Sequence, residues 1–259
     1  MSKTDEIDDF GFLRKSSVLR GIVPKLKRVQ RAVGFVMATN VLMIVLVLIP
    51  QIAGKFAGGN APEGLKTWNS KTVAIPVVVA ISVLFLLATV YYCRKLMCLK
   101  KYEPGMRGTG IYAMIVFAAS RVCFLFLFKG DRNYIILFVV FCFLLFGTYV
   151  RVLRDSMWKM TREASHAAAE RWKDMFRNAA IISAVVLLSL IIMHYLYVDF
   201  EILPARFVFA MVAIDLLVVT IVFIVLQCME LHCLGKAIQV FSQVTDPEVE
   251  DDDDNPYAK

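Results

Sequence analysis

Two charged residues lie inside long apolar stretches of this sequence, and they are the first candidates for chemistry. Arg121 lies in the stretch 109–128, and Asp215 lies in the stretch 207–228. A charge inside a bilayer is costly, so it usually faces the bundle interior and finds a partner there. Since both positions are predicted slightly outside the membrane midplane, we expect Arg121 and Asp215 to form an ion pair or share a polar cavity. The pair would be an ion, proton or substrate site, or a structural link between two helices. If its helix is tilted or shifted, Arg121 pairs with a lipid phosphate instead.

Two uncharged polar residues lie in other apolar stretches. Asn40 is predicted toward the cytosolic side of its stretch, and His194 toward the outer side. Polar side chains inside a membrane often form a hydrogen bond to a neighbouring helix, worth about 1 kcal/mol or less. Both residues are therefore secondary candidates, and His194 would titrate near neutral pH if it reached water.

Metal, haem and hydrolase chemistry is not indicated. The three histidines, His166, His194 and His232, lie in separate segments, and no HExxH motif or CxxC pair is present. Zinc sites need such ligands at short spacings. A Gly-x-Ser-x-Gly nucleophile elbow and a Walker A sequence are also absent. We expect no metal, no cofactor and no enzymatic activity.

Four of the six cysteines lie at predicted cytosolic helix ends. Cys93 and Cys98 follow one apolar stretch, Cys228 and Cys233 follow another, and both pairs fit the pattern C-x4-C-L-x-K. Cysteines beside the membrane and near lysine are candidate S-acylation sites, although buried cysteine also serves as a small apolar residue. The repeated pattern hints at repeated helical hairpins, which are typical of transporters.

The elements that position these residues are six apolar stretches, each close to the length of a membrane span. The 259-residue chain is 59% hydrophobic, against roughly 45–50% in soluble domains. A bilayer about 30 Å thick requires about 20 apolar residues in a helix, because backbone groups in lipid must pair internally. We therefore predict an all-α, polytopic transmembrane bundle with six spans, at 34–53, 73–92, 109–128, 134–150, 179–198 and 207–228.

The distribution of lysine and arginine predicts the orientation of the spans. The segments 1–33, 93–108 and 151–178 contain eight, five and seven of them, whereas 54–72, 129–133 and 199–206 contain three, two and one. Basic loops favour the cytosolic side. We predict cytosolic N- and C-termini in an endomembrane or the plasma membrane.

Three segments outside the spans have their own patterns. Residues 14–33 alternate apolar and basic positions at helical spacing, which indicates an amphipathic helix on the membrane or on the bundle. Residues 151–178 lack Gly and Pro and carry an apolar stripe, which predicts a long cytosolic helix with Trp158 and Trp172 as interface anchors. Residues 237–259 end in an acidic run, which predicts a disordered tail.

The net charge of +7 lies in the predicted cytosolic segments, so it favours anionic lipid headgroups rather than nucleic acid as a partner. Few intramembrane polar groups and small outer loops favour a non-enzymatic scaffold, accessory subunit or trafficking factor. Such a protein would bind a membrane-protein partner or a second copy of itself. The alternative is a small transporter or channel that uses Arg121 and Asp215.

Overall fold

The computed structural model describes residues 21–126, 132–162, 164–194 and 205–244. Within these ranges the chain is helical and contains no strand. Thirty side chains inside the helices lie outside the description: those of 55, 71, 121–126, 132–139, 142, 193–194, 205–213 and 215–216.

The described ranges contain eight α-helices. Their bounds are α1 Ile22–Met43, α2 Ile49–Ala57, α3 Glu63–Trp68, α4 Lys71–Met97, α5 Gly105–Phe126, α6 Arg132–Arg162, α7 His166–His194 and α8 Ala205–Val244. A π-helical turn, Ile44–Leu48, joins α1 to α2, so that these two helices form one continuous rod.

The six long helices form a ring in which each packs on its neighbours in sequence. Helix α1 packs on α4, α4 on α5, α5 on α6, α6 on α7 and α7 on α8, and α8 returns to pack on α1 and α2. Short connections make sequential helices antiparallel. We call this arrangement the six-helix ring.

The π-helical turn in α1 has a local cause at Pro50. Proline has no N–H and crowds the carbonyl of the preceding turn, so Leu46 O loses its helical donor. The indole Nε1 of Trp68 donates to Leu46 O at 2.8 Å, and Asn69 Nδ2 donates to Pro50 O at 2.8 Å. Trp68, the last residue of α3, therefore satisfies the carbonyl that the proline leaves without its helical donor.

Large apolar side chains face outward on all six helices of the ring. They include Phe35 on α1, Leu87 on α4, Ile115 on α5, Leu144 on α6 and Leu188 on α7, each more than half exposed; Ile221 and Val225 are the corresponding residues of α8. Exposed apolar surface of this extent is typical of a surface that contacts a membrane or another protein. We call it the apolar band.

Four helical segments within the described residues are long and apolar enough to cross a membrane: Ile22–Gly54, Thr72–Lys101, His166–Ile192 and Leu217–Gln243. The chain is thus compatible with a membrane protein. The six spans predicted from the sequence include two more, in α5 and α6, and both helices contain side chains that are not described.

At one end of the ring the helices extend past the apolar band and enclose a fully buried core. Its members include Leu26, Leu99, Met106, Met157 and Phe241, all at most 1% exposed. Most of the described lysines and arginines surround this core. We call this end the basic end.

The segment 151–178 differs from its prediction, since it does not form one long helix. Helix α6 ends at Arg162 and α7 begins at His166. The Ser165 Oγ accepts a hydrogen bond from the backbone N–H of Ala168 at 3.3 Å, and a serine in this position favours the start of a helix. The apolar stripe of 151–178 is therefore divided between two helices that form a hairpin, and Trp172 is buried inside this hairpin.

The segment 237–259, predicted as a disordered tail, is helical over its first part. Helix α8 continues to Val244, and Ala237 and Phe241 are buried in the core of the basic end. Residues 245–259, which contain the acidic run, lie outside the described residues, as do residues 1–20.

Two glycines of α5 provide a test of the packing between α4 and α5. A Cβ on Gly110 would lie 2.9 Å from the backbone Cys93 O, whereas a Cβ on Gly108 would meet nothing within 4 Å. We expect Gly110→Ala to lower the thermal stability of the detergent-purified protein, because backbone must shift. Gly108→Ala, the matched control, should be neutral or stabilising by about 0.5–1 kcal/mol, since alanine favours helices. Equal stability of the two variants would contradict this helix packing.

Candidate functional site

Three polar side chains meet at the centre of the six-helix ring. The Tyr92 hydroxyl of α4 donates to Glu230 Oε1 of α8 at 2.5 Å, and the Tyr149 hydroxyl of α6 lies 2.5 Å from that of Tyr92. All three side chains are buried. Since α4, α6 and α8 are alternate members of the ring, these hydrogen bonds join helices that are not neighbours in sequence. We call the three residues the central cluster.

The helix periodicity explains why these side chains point inward. On α4, Phe85, Thr89 and Tyr92 lie three or four residues apart and share a buried face. On α8, Glu230 lies four residues before Leu234 in a buried series that continues with Ala237 and Phe241. Spacings of three and four place residues on one side of a helix.

Glu230 has one hydrogen-bond donor, the Tyr92 hydroxyl, and no cationic partner among the described residues. Its side chain is 6% exposed, and the described ion pairs all lie elsewhere, on α6 and α7. A buried carboxyl group needs its oxygens satisfied, because leaving them bare costs free energy. The Tyr92 hydroxyl meets this need, which makes the phenol–carboxyl hydrogen bond the essential contact of the cluster.

Aromatic side chains fill the ring next to the central cluster. The centre of the phenyl ring of Phe117 on α5 lies 6.0 Å from that of Phe85, 5.9 Å from that of Phe146 and 5.2 Å from the ring centre of Tyr149. The ring centres of Phe146 and of Phe223 on α8 are 4.5 Å apart. Edge-to-face and tilted pairs at these distances are attractive beyond their buried area. The Phe146–Phe223 contact crosses the interior of the ring, so side chains occupy its centre at this level.

A second buried polar contact joins α1 to α8. Asn40 Nδ2 donates to Gln227 Oε1 at 3.3 Å, which agrees with the expectation that Asn40 bonds to a neighbouring helix. On α4, the buried hydroxyls of Ser82 and Thr89 have no hydrogen-bond partner among the described residues. Asn40, Gln227, Ser82 and Thr89 thus extend the polar character of the ring interior beyond the central cluster.

The predicted pair Arg121 and Asp215 lies outside the described side chains, although α5 and α8 include both positions. The ring contacts of Phe117 and Phe223 with Phe146 set the register of these helices. Arg121 lies about one turn beyond Phe117, and Asp215 about two turns beyond Phe223, in the same direction. The ion pair remains a prediction, as does the role of His194, whose side chain is also outside the description.

The four candidate S-acylation cysteines fall into two groups. Cys93 and Cys233 are buried, at 0% and 5% exposure, while Cys98 and Cys228 are exposed. An acyl chain cannot be attached to a thiol enclosed by packed helices, so the prediction is restricted to Cys98 and Cys228. Cys93 and Cys233 instead pack as small apolar side chains.

The two predicted interface anchors lie on different helices. Trp172 is 1% exposed and belongs to the core of the basic end rather than to a membrane surface. Trp158 is partly buried: its Nε1 donates to Glu170 Oε1 at 3.4 Å, and Arg162 and Lys173 lie over its ring. These contacts stabilise the hairpin of α6 and α7.

Glu230 was not predicted as a site residue, because it lies just beyond the predicted end of the sixth span. The sequence does contain a signal for Glu230, because it belongs to a series at helical spacing: Leu226, Glu230, Leu234, Ala237 and Phe241. Such spacing places the acidic residue in a buried stripe. Tyr92 and Tyr149 lie at the predicted ends of two other spans, where tyrosine is common and was not distinguished from an interface residue.

Comparison with protein-family models, with curated proteins and with solved structures gives no match for this chain. The fold shows the class of the protein: it is helical, and its apolar helices suggest membrane association. Among the described residues, no group of His, Cys, Asp or Glu is arranged to hold a metal ion.

Removing one hydroxyl tests whether the central cluster stabilises the ring. We expect Tyr92→Phe to lower the free energy of unfolding by about 1–3 kcal/mol, because the Glu230 carboxyl group loses its donor. Tyr112→Phe is the matched control, since its hydroxyl bonds Thr148 Oγ1 at an exposed position and should matter less. The free energy of unfolding of both variants is measured by denaturation in mixed detergent micelles.

Combining Tyr92→Phe and Tyr149→Phe with Glu230→Leu should recover most of the loss, because all three polar groups of the central cluster are then removed together. Equal losses in the Tyr92 and Tyr112 variants would contradict a stabilising role for the cluster.

Proposed function

We propose that this chain is a six-span membrane protein that acts as a non-enzymatic scaffold, accessory subunit or trafficking factor. One observation carries the proposal: hydrogen-bonded and aromatic side chains fill the centre of the six-helix ring. The central cluster joins α4, α6 and α8, and the Phe146–Phe223 contact crosses between α6 and α8. A bundle packed in this way suits a rigid structural role rather than a path for a substrate.

The apolar band supports spans in α5 and α6 as well as in the other four helices. Ile111, Met114 and Ile115 of α5 are exposed, as are Phe141 and Leu144 of α6. These helices run beside the four candidate spans in one ring. Outward apolar side chains at matching heights are favourable only if lipid surrounds the whole ring.

The basic end supports a cytosolic position for both termini. Helix α1 begins there and α8 ends there, and Arg94, Arg151 and Lys236 lie at the same end of α4, α6 and α8. Lysine and arginine accumulate on the cytosolic side of membrane proteins. The opposite end has short connections, so most of the surface available to a soluble partner would be cytosolic.

Transport is the second candidate function, and the buried polar side chains favour it. Inside the ring lie the Asn40–Gln227 pair and the hydroxyls of Ser82 and Thr89, for which the described residues provide no hydrogen-bond partner. Asp215 and Arg121 would extend this set toward the opposite end. Buried polar groups in spans often mark ion or substrate paths.

The side of the connection between α5 and α6 tests the number of spans. We expect Asp131→Cys, in a cysteine-free background, to react with a membrane-impermeant maleimide from the same side as Gly59→Cys in the loop between α2 and α3. A chain that retains only the exposed Cys98 is the control and should react from the opposite, cytosolic side. Reaction of Asp131→Cys together with Cys98 would exclude the six-span arrangement.

The role of Asp215 tests scaffold against transporter. For a scaffold, we expect proteoliposomes of the full chain to pass Na⁺, K⁺, Cl⁻ and protons no faster than protein-free vesicles. Asp215→Asn should then lower cellular abundance severalfold, as destabilised membrane proteins are degraded, and a second change, Arg121→Gln, should restore it. Flux that Asp215→Asn abolishes at normal abundance would favour the transporter.

A further inference from the structure

Lysine and arginine are dense at the basic end of α1, at that of α4 and in the turn after α4. Neither α1 nor α4 contains Asp or Glu. Among the described residues none of these cations forms an ion pair. The nearby Glu103 carboxylate accepts instead from the backbone N–H of Gly105 at 3.3 Å. The set comprises Lys25, Lys27, Arg28 and Arg31 of α1, Arg94 and Lys95 of α4, and Lys100 and Lys101 of the turn that follows; we call it the cationic face.

The other side of the basic end carries carboxylates as well as cations, and three of its cations form ion pairs. Arg154 contacts Asp155 at 2.5 Å, Lys173 contacts Glu170 at 2.7 Å, and the Arg177 guanidinium lies 3.0 Å from Asp174. Exposed pairs of this kind add little stability, but they cancel charge locally. Lys159, Arg162 and Arg171 on this side form no described ion pair, so its positive charge is only partly offset, but the absence of Asp and Glu from α1 and α4 makes the positive charge densest there.

The cationic face adjoins the edge of the apolar band. Phe35 is the first large exposed apolar residue of α1 and Tyr91 the last of α4, and their rings touch edge to face at 6.1 Å. The Lys95 ammonium lies 4.9 Å from the centre of the Tyr91 ring. Arg31 is one helical turn from Phe35 on the same exposed side of α1. Aromatic residues favour the boundary between acyl chains and headgroups, so Arg31 and Lys95 are at headgroup height.

We propose that this edge of α1 and α4 binds the phosphate of an anionic phospholipid, with Arg31 and Lys95 as its cations and Phe35 and Tyr91 against its upper acyl chains. The proposal rests on the membrane position of the apolar band given above. Two cations from separate helices converge on one height, and an anionic headgroup supplies the charge that α1 and α4 lack. Each basic residue near a membrane surface contributes favourably to the binding of anionic lipid.

The binding of short-chain lipid tests the proposal on the full chain in mild detergent. The probes are dioctanoyl phosphatidylglycerol, dioctanoyl phosphatidylcholine and inorganic phosphate, and the readouts are the thermal midpoint and lipid retention in native mass spectrometry. We expect phosphatidylglycerol alone to raise the midpoint and to remain bound. Arg31→Gln with Lys95→Gln should weaken its apparent affinity about tenfold or more.

The matched control, Lys173→Gln with Arg177→Gln, removes two cations that form ion pairs on the other side of the basic end. This variant should bind like the parent chain. A second pair on the cationic face, Arg28→Gln with Arg94→Gln, should weaken binding if the first pair does not purify as a single species. Equal weakening in control and test pairs, or an equal response to phosphatidylcholine or inorganic phosphate, would overturn the proposal.

Binding that appears only after Asp251, Asp252, Asp253 and Asp254 are all changed to Asn would also overturn it, because the chain's own acidic segment would then occupy the face. The outcome of the Asp131→Cys labelling does not depend on these results, so an error in the number of spans and an error in the lipid site can be distinguished.

Discussion

The hydrogen bond between the Tyr92 hydroxyl and the Glu230 carboxyl group is the contact on which the interior of the ring depends. It holds α4 against α8 across the bundle, and Tyr149 brings α6 into the same contact. A carboxyl group enclosed by helices must keep its donor, so these three helices cannot separate without exposing it. The aromatic side chains around Phe117 then pack on a fixed centre. A ring made only of neighbouring contacts would lack this cross-link.

The exposed side chains of the six-helix ring change from basic to apolar along the length of the helices. Along α1 the exposed side chains change from Arg28 and Arg31 to Phe35 and then to Val45 and Ile49. Antiparallel packing repeats this change at the same height on each neighbouring helix, so an apolar band and a basic end arise together. The packed centre and the separation of apolar from basic surface are both compatible with a membrane protein, and the proposed lipid site depends on the uneven distribution of charge at the basic end.

The helical class and the main apolar stretches follow directly from the sequence, because hydrocarbon thickness sets the length of an apolar helix. The break between α6 and α7 was not predicted, because the capping of α7 by Ser165 is a local effect that the apolar stripe of 151–178 conceals. Asn40 was found as an isolated polar residue in an apolar stretch. Glu230 was missed, because its importance depends on Tyr92 and Tyr149, which are far away in sequence. Pairings between distant residues require the register of the helices, and a single sequence does not contain it.

Water access at Thr89 tests the closed centre most directly. Thr89 is 1% exposed and lies one turn from Tyr92 on the inner side of α4. Thr89→Cys, in a cysteine-free chain placed in lipid nanodiscs, would be treated with a small, charged methanethiosulfonate reagent, with Cys98 alone as the reactive control. A closed centre predicts no modification of the new thiol on a timescale that fully modifies Cys98. Comparable rates at the two positions would mean that water fills the ring, and would contradict the packed scaffold.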